Sequence, residues 1–168
     1  MKRFIKILHE IGTVGMMGAI AAVLILLLST RGSSALEYAT VRRGIDHVVR
    51  WLLFPSLGLV LFTGFIAMAV HSPFHNAGWA WIKALLGVSV LEGTLGGIVG
   101  TARDAASISA QVAAGTADPA LLSPILRHEQ GALWVMLFLC LVNIVLAVWR
   151  PKLLRRSRPG PAQPGLEK

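Results

Sequence analysis

Residues 128–149, HEQGALWVMLFLCLVNIVLAVW, decide the fold class. From Ala132 to Trp149 the one strongly polar side chain is Asn143. A helix crosses a hydrocarbon core of about 30 Å with about 20 mostly apolar residues, so this block reads as a transmembrane helix. Working back along the chain, three more blocks of this kind cover about 79–101, 48–70 and 4–29. The expected fold is therefore all-α, a four-helix transmembrane bundle in up-down-up-down order spanning 1–151. Pro151 ends the last helix, and residues 152–168, with Pro159, Pro161, Pro164 and several basic residues, read as a disordered basic cytoplasmic tail.

Composition agrees. The chain is 55% hydrophobic and 14% charged, whereas soluble domains carry about 25% charged residues. The net charge of +8 does not indicate nucleic acid, because the basic residues gather at helix ends and in the tail without interleaved aromatics. Membrane lipid is the expected surroundings, and the tail suits anionic headgroups. The single cysteine, Cys140, excludes an intramolecular disulfide.

The first block follows Lys2, Arg3 and Lys6, and Ser33-Ser34-Ala35 resembles a signal cleavage site. Its apolar part is longer than a signal core of about 7–15 residues, so an uncleaved helix is expected. Pro55 falls inside the second block and should kink it or mark its first turns. Between the third and fourth blocks, 105–114 reads as a surface helix that Asp118-Pro119 would break.

Lysine and arginine set the orientation. Nine lie at the chain's two ends: Lys2, Arg3, Lys6, Arg150, Lys152, Arg155, Arg156, Arg158 and Lys168. Six lie on the opposite side: Arg31, Arg42, Arg43, Arg50, Arg103 and Arg127. Both ends are expected to be cytoplasmic, although the first external loop is unusually basic. Trp51, Trp79, Trp81, Trp134 and Trp149 sit near block ends, as an interfacial aromatic belt requires. Gly12, Gly15 and Gly18 in the first helix, and Gly87, Gly93, Gly96, Gly97 and Gly100 in the third, mark these two for the closest helix contacts.

Ionisable residues near the spans carry the chemistry. In an up-down-up-down bundle the first and third helices are diagonal and run the same way. His9 and Lys83 then lie at similar depth on the terminal side. The second and fourth helices pair His47 with His128 in the same way, near the other surface. Two histidines from facing helices are how a bundle holds haem iron. Spacings of four, seven and eleven place Trp51, Phe54 and Gly58 beyond His47, and Ala132, Val135 and Leu139 beyond His128, as walls for a porphyrin. His71 and His75 cannot share a helix face across Pro73. Glu92 lies nine residues after Lys83, about 180° around the helix. It is expected to be protonated, or paired with Arg103 or Asn143. Asn143 reads as an interhelical hydrogen bond. No nucleophile triad, phosphate loop or carboxylate pair stands out.

Lys6-Ile7-Leu8-His9 with Gly15 and Gly18, and Trp79-Ala80-Trp81-Ile82-Lys83, resemble a superfamily of small membrane proteins. It includes HemJ-type protoporphyrinogen oxidases and copper-resistance protein D. The resemblance covers the first and third helices. It implies that a histidine early in the first helix and a lysine early in the third matter for function, with haem b bound; His9 and Lys83 stand at those positions. The aromatic-Leu-Pro-Arg ending of the HemJ first helix is absent here.

The expectation is an integral membrane haem b protein with an electron-transfer or porphyrin-redox role, in a bacterial inner membrane. His47 and His128 are the first ligand pair, and His9 with Lys83 the second. A quinone or a larger membrane complex is the expected partner. The alternatives are a non-enzymatic accessory subunit, docking through its glycine faces and Glu92, and a copper-handling protein. For the latter, Met16, Met17 and Met68 are poor candidates, because methionine more often fills membrane cores.

Overall fold

The computed structural model describes residues 2–30, 32–70 and 78–149. The tail 152–168, and His71 and His75, lie outside the described residues. The described chain is all helical. Helix α1 is Lys2–Ser29. Helix α2 is Ala35–Val70, made of Ala35–Val48, a π-helical turn Val49–Leu53 and Phe54–Val70. Helix α3 runs over 78–113, as Gly78–Thr94, a second π turn Leu95–Val99 and Gly100–Ala113. A 3-10 turn, Pro119–Leu121, leads into α4, Leu122–Trp149.

Four helices are long and apolar enough to cross a membrane, and their surface explains why they must. Val14, Phe62, Phe138 and Val148 are 73%, 66%, 65% and 81% exposed. Apolar exposure on this scale suits lipid, not water. Trp51, Trp81, Trp134 and Trp149 also point outward. The protein is an integral membrane four-helix bundle.

Both π turns lie near the midpoints of their helices and touch each other; beyond them lies the distal end, the end away from Lys2 and Trp149. The first ends immediately before Phe54-Pro55. Proline has no N–H to give to the preceding turn, and the wider turn absorbs that missing bond without a break. The kink expected at Pro55 is thus a π turn within one continuous helix.

Helices α2 and α3 outrun the hydrocarbon. At 1.5 Å per residue each is about 54 Å long, against a core of about 30 Å. The excess lies at the distal end, where Ala35–Val48 packs along Gly100–Ala113. This corrects two expectations. Residues 35–47 are helix, not loop, and 105–113 continue α3 instead of forming a separate surface helix. Ala102, Ala105 and Ser109 are buried there. Their small side chains let α2 and α3 lie close. A capping box starts α2: the Ser34 side chain accepts from the Glu37 backbone N–H, and Glu37 accepts from that of Ser34. Asp118 caps the 3-10 turn through the Ala120 N–H at 2.8 Å.

The helices pack in chain order: α1 on the Phe54–Val70 half of α2, α2 on α3, α3 on α4. Glycines set the closest approaches. A Cβ at Gly12 would sit 2.9 Å from Val60 Cγ2, and one at Gly97 2.7 Å from Ala132 Cβ. The glycines of α1 and α3 therefore receive α2 and α4, rather than each other. The core comprises Met16, Ile20 and Val23 of α1, Ile45, Val49, Leu53 and Leu57 of α2, Val90 and Ile98 of α3, and Leu133, Met136 and Cys140 of α4. The terminal half of the bundle holds a partly open cavity between the helices.

Candidate functional site

The cavity is about 650 Å³ and all four helices line it. Its walls are mostly apolar, with Met16, Met68, Gly87 and Cys140 among them. Polar groups line it from all four helices: Lys6, His9, Glu10 and Thr13 of α1, Thr63 of α2, Lys83 of α3 and Asn143 of α4.

His9 lies two turns into α1, and its ring is held firmly. Nδ1 is 3.1 Å from the Val60 carbonyl oxygen and 3.0 Å from Thr63 Oγ1. The Thr63 hydroxyl donates its own hydrogen to the Leu59 carbonyl at 2.6 Å. Its oxygen therefore accepts at His9, and Nδ1 carries the proton. In the neutral imidazole this assigns the lone pair to Nε2. Lys83 borders the same cavity from α3 and lies within electrostatic range of the ring. His9 and Lys83, on diagonal helices, thus line one site at one end of the bundle.

His47 and His128 are not brought together in the interior. Both side chains are exposed. Beyond His47, Trp51 is 74% and Phe54 40% exposed, and Gly58 is exposed too. This is the lipid-facing side of α2, not a porphyrin wall. Beyond His128, Val135 is 59% exposed. The His128 Nε2 lies against Gly97 of α3.

What the bundle buries at this level is a different pair, one that sequence reasoning missed. Arg42 Nη2 donates to Glu129 Oε2 at 2.6 Å, with side chains 0% and 1% exposed. Arg42 Nε and Nη1, and Glu129 Oε1, are buried and find no partner among the described residues. The pair accounts for part of the unusually basic first connection: Arg42 is an interior cation with its own counter-ion. Arg50 is paired as well, with Asp46 at 3.2 Å on the surface. A signal for Glu129 was present. Glu129, Leu133, Met136 and Cys140 are all buried, at spacings of four, three and four, which is one helix face.

Glu92 is exposed on α3, away from the cavity, and Asn143 lines the cavity. Among the described residues no group of three or more His, Cys, Asp or Glu is placed to hold a metal ion. A porphyrin supplies four of its iron's ligands and asks the protein for one or two, so a haem site needs no such group. No family model matches the chain, and neither a curated protein nor a solved structure matches it.

Proposed function

We propose that this protein binds haem b in the terminal-end cavity and passes electrons within the membrane. His9 would hold the iron through Nε2, and Lys83, which lines the same cavity, would serve as a second ligand or pair with the haem carboxylates. The observation that carries this reading is the fixed His9 ring. Metal-ligating histidines almost always donate their other ring N–H to a carbonyl or carboxylate, which sets tautomer and orientation. His9 does so to Val60 and Thr63. The cavity volume of about 650 Å³ falls within the range of about 300–1,000 Å³ that suits ligands of this size. Lys6 and Lys83 supply positive charge near the terminal end, where haem carboxylates would reach toward water. Bound haem would supply a one-electron couple, and His9 and Lys83 would orient it in the cavity.

The lysine and arginine bias supports a cytoplasmic position for this end, and we take the membrane to be a bacterial inner membrane. A quinone dissolved in the bilayer is the electron partner this location favours.

The test is a reduced-minus-oxidised visible spectrum with a pyridine haemochrome assay on protein purified in mild detergent. One haem b per chain is expected. His9→Ala should abolish it, while His47→Ala and His128→Ala retain it. A colourless wild-type protein from haem-replete cells overturns the proposal.

A further inference from the structure

We infer that a bilayer quinone enters the cavity sideways, between α1 and α4, and that Asn143 holds its head group. The inference rests on the electron-transfer reading above and adds the route of entry and the residue that meets the quinone.

The packing decides where the wall is open. Three of the four sides are closed by helix contacts. Gly12 of α1 receives Val60 of α2, and His9 is bonded to the same turn. A Cβ at Gly87 of α3 would come 2.7 Å from Leu61 Cδ2 of α2. Helix α3 packs on α4. The fourth side, α4 against α1, differs between the two halves of the bundle. In the distal half, Ile20 and Val23 of α1 share one core with Leu133 and Met136 of α4. In the terminal half, no residue of α1 over 3–11 is buried, and none of α4 over 141–149. Met17 of α1 and Ile144 of α4 are 37% and 43% exposed, yet both line the cavity. Side chains that border the cavity and the outside at once define its mouth. Met17 lies about 22 Å and Ile144 about 8 Å from the terminal ends of their helices, so this mouth opens on hydrocarbon.

Asn143 selects what is held there. It adjoins Ile144 and lines the cavity. The interhelical hydrogen bond expected of it is not formed, and its amide has no hydrogen-bond partner among the described residues. Polar side chains at membrane depth face the bundle interior or a cavity and mark ligand paths, and an amide left alone in apolar surroundings is unfavourable. The amide is neutral, donates through its nitrogen and accepts through its oxygen. It therefore meets a ring carbonyl and a ring hydroxyl equally well, and these are the two forms between which a quinone head alternates. Met16, Met17 and Met68 line the same cavity and give the ring adaptable apolar walls.

The experiment is photo-cross-linking of the full chain in liposomes with an azido-substituted, short-tailed benzoquinone, the adducts being mapped by mass spectrometry. Adducts are expected around Met17 and Ile144. Excess decylubiquinone should suppress them, and oleate should not. Asn143→Leu should weaken quinone affinity, read from that competition, by about 2- to 10-fold, the range one hydrogen bond supplies. Asn143→Gln should restore most of it. Met17→Trp combined with Ile144→Trp should slow adduct formation, while Val14→Trp, exposed on α1 outside the cavity lining, should not. Circular dichroism checks that each variant stays helical. Adducts confined to α2 or α3 overturn the inference, as does an affinity unchanged by Asn143→Leu, or suppression by oleate as strong as by quinone, which would make this a lipid site. Haem content is read on the same samples. Haem-loaded protein without adducts at the mouth overturns this inference alone, whereas colourless protein that still forms them supports it and overturns the haem reading.

Discussion

Replacing Glu129 with leucine strands the Arg42 guanidinium in the interior, and the cost follows from the geometry. The pair is 2.6 Å apart and essentially without exposure. With charge centres about 4 Å apart and an effective dielectric near 20, the attraction is about 4 kcal/mol. Breaking buried pairs from one side costs about 3–5 kcal/mol, because the remaining charge keeps its desolvation penalty. Glu129→Leu and Arg42→Met should therefore each destabilise by about that much, a large share of the roughly 5–15 kcal/mol that holds a typical domain. The double variant removes both charges and both penalties. It should recover nearly all the loss, and a gain of about 1–4 kcal/mol is within reach for a well-packed apolar replacement. Reversible unfolding in mixed micelles, read by circular dichroism for all four proteins, measures this cycle. Independent sites would add to about 6–10 kcal/mol for the double variant. A result near that sum, or single variants costing under about 1 kcal/mol as exposed pairs do, would refute a desolvated, mutually dependent pair.

Thr63→Val removes one acceptor from His9 Nδ1 but leaves the Val60 carbonyl; haem affinity should fall by about tenfold, the low end for such supporting contacts, measured by haem transfer to a competing apoprotein. Gly12→Val pushes a side chain into Val60 and should cost about 1–3 kcal/mol in unfolding experiments. Gly18→Ala, with nothing within 4 Å, should instead stabilise by about 0.5–1 kcal/mol. Ser34→Ala removes the capping box of α2 and should cost about 1 kcal/mol, seen as faster amide exchange over the first turn of α2.

The spans were legible in the sequence because lipid imposes a hydropathy criterion that each block meets by itself. That criterion goes silent where the hydrocarbon ends, although helical hydrogen bonding does not. The distal halves of α2 and α3 fall outside the apolar blocks, so hydropathy leaves 35–47 as a connection and 105–114 as a separate surface helix. Ser34-x-x-Glu37 is a capping-box spacing, and it marked the true start of α2. Depth was also legible. His9 and Lys83 lie early in helices that run the same way, and counting residues was enough to bring them to one cavity.

Rotation was not legible, and Arg42 shows why. A lone arginine is expected outside, and placing it there turns the opposite face of α2, with His47, inward. In the structure Arg42, Ile45, Val49, Leu53 and Leu57 form the buried stripe. His47 is five residues past Arg42, about 140° around the helix, so burying Arg42 commits His47 to the surface. The burial is tolerable only because Glu129 meets the guanidinium from a helix 87 residues further along. One long-range charge pair thus sets the face of α2, and no local pattern around Arg42 announces it. The counterpart was visible only from the other side, as the carboxylate that stays in phase with Leu133, Met136 and Cys140.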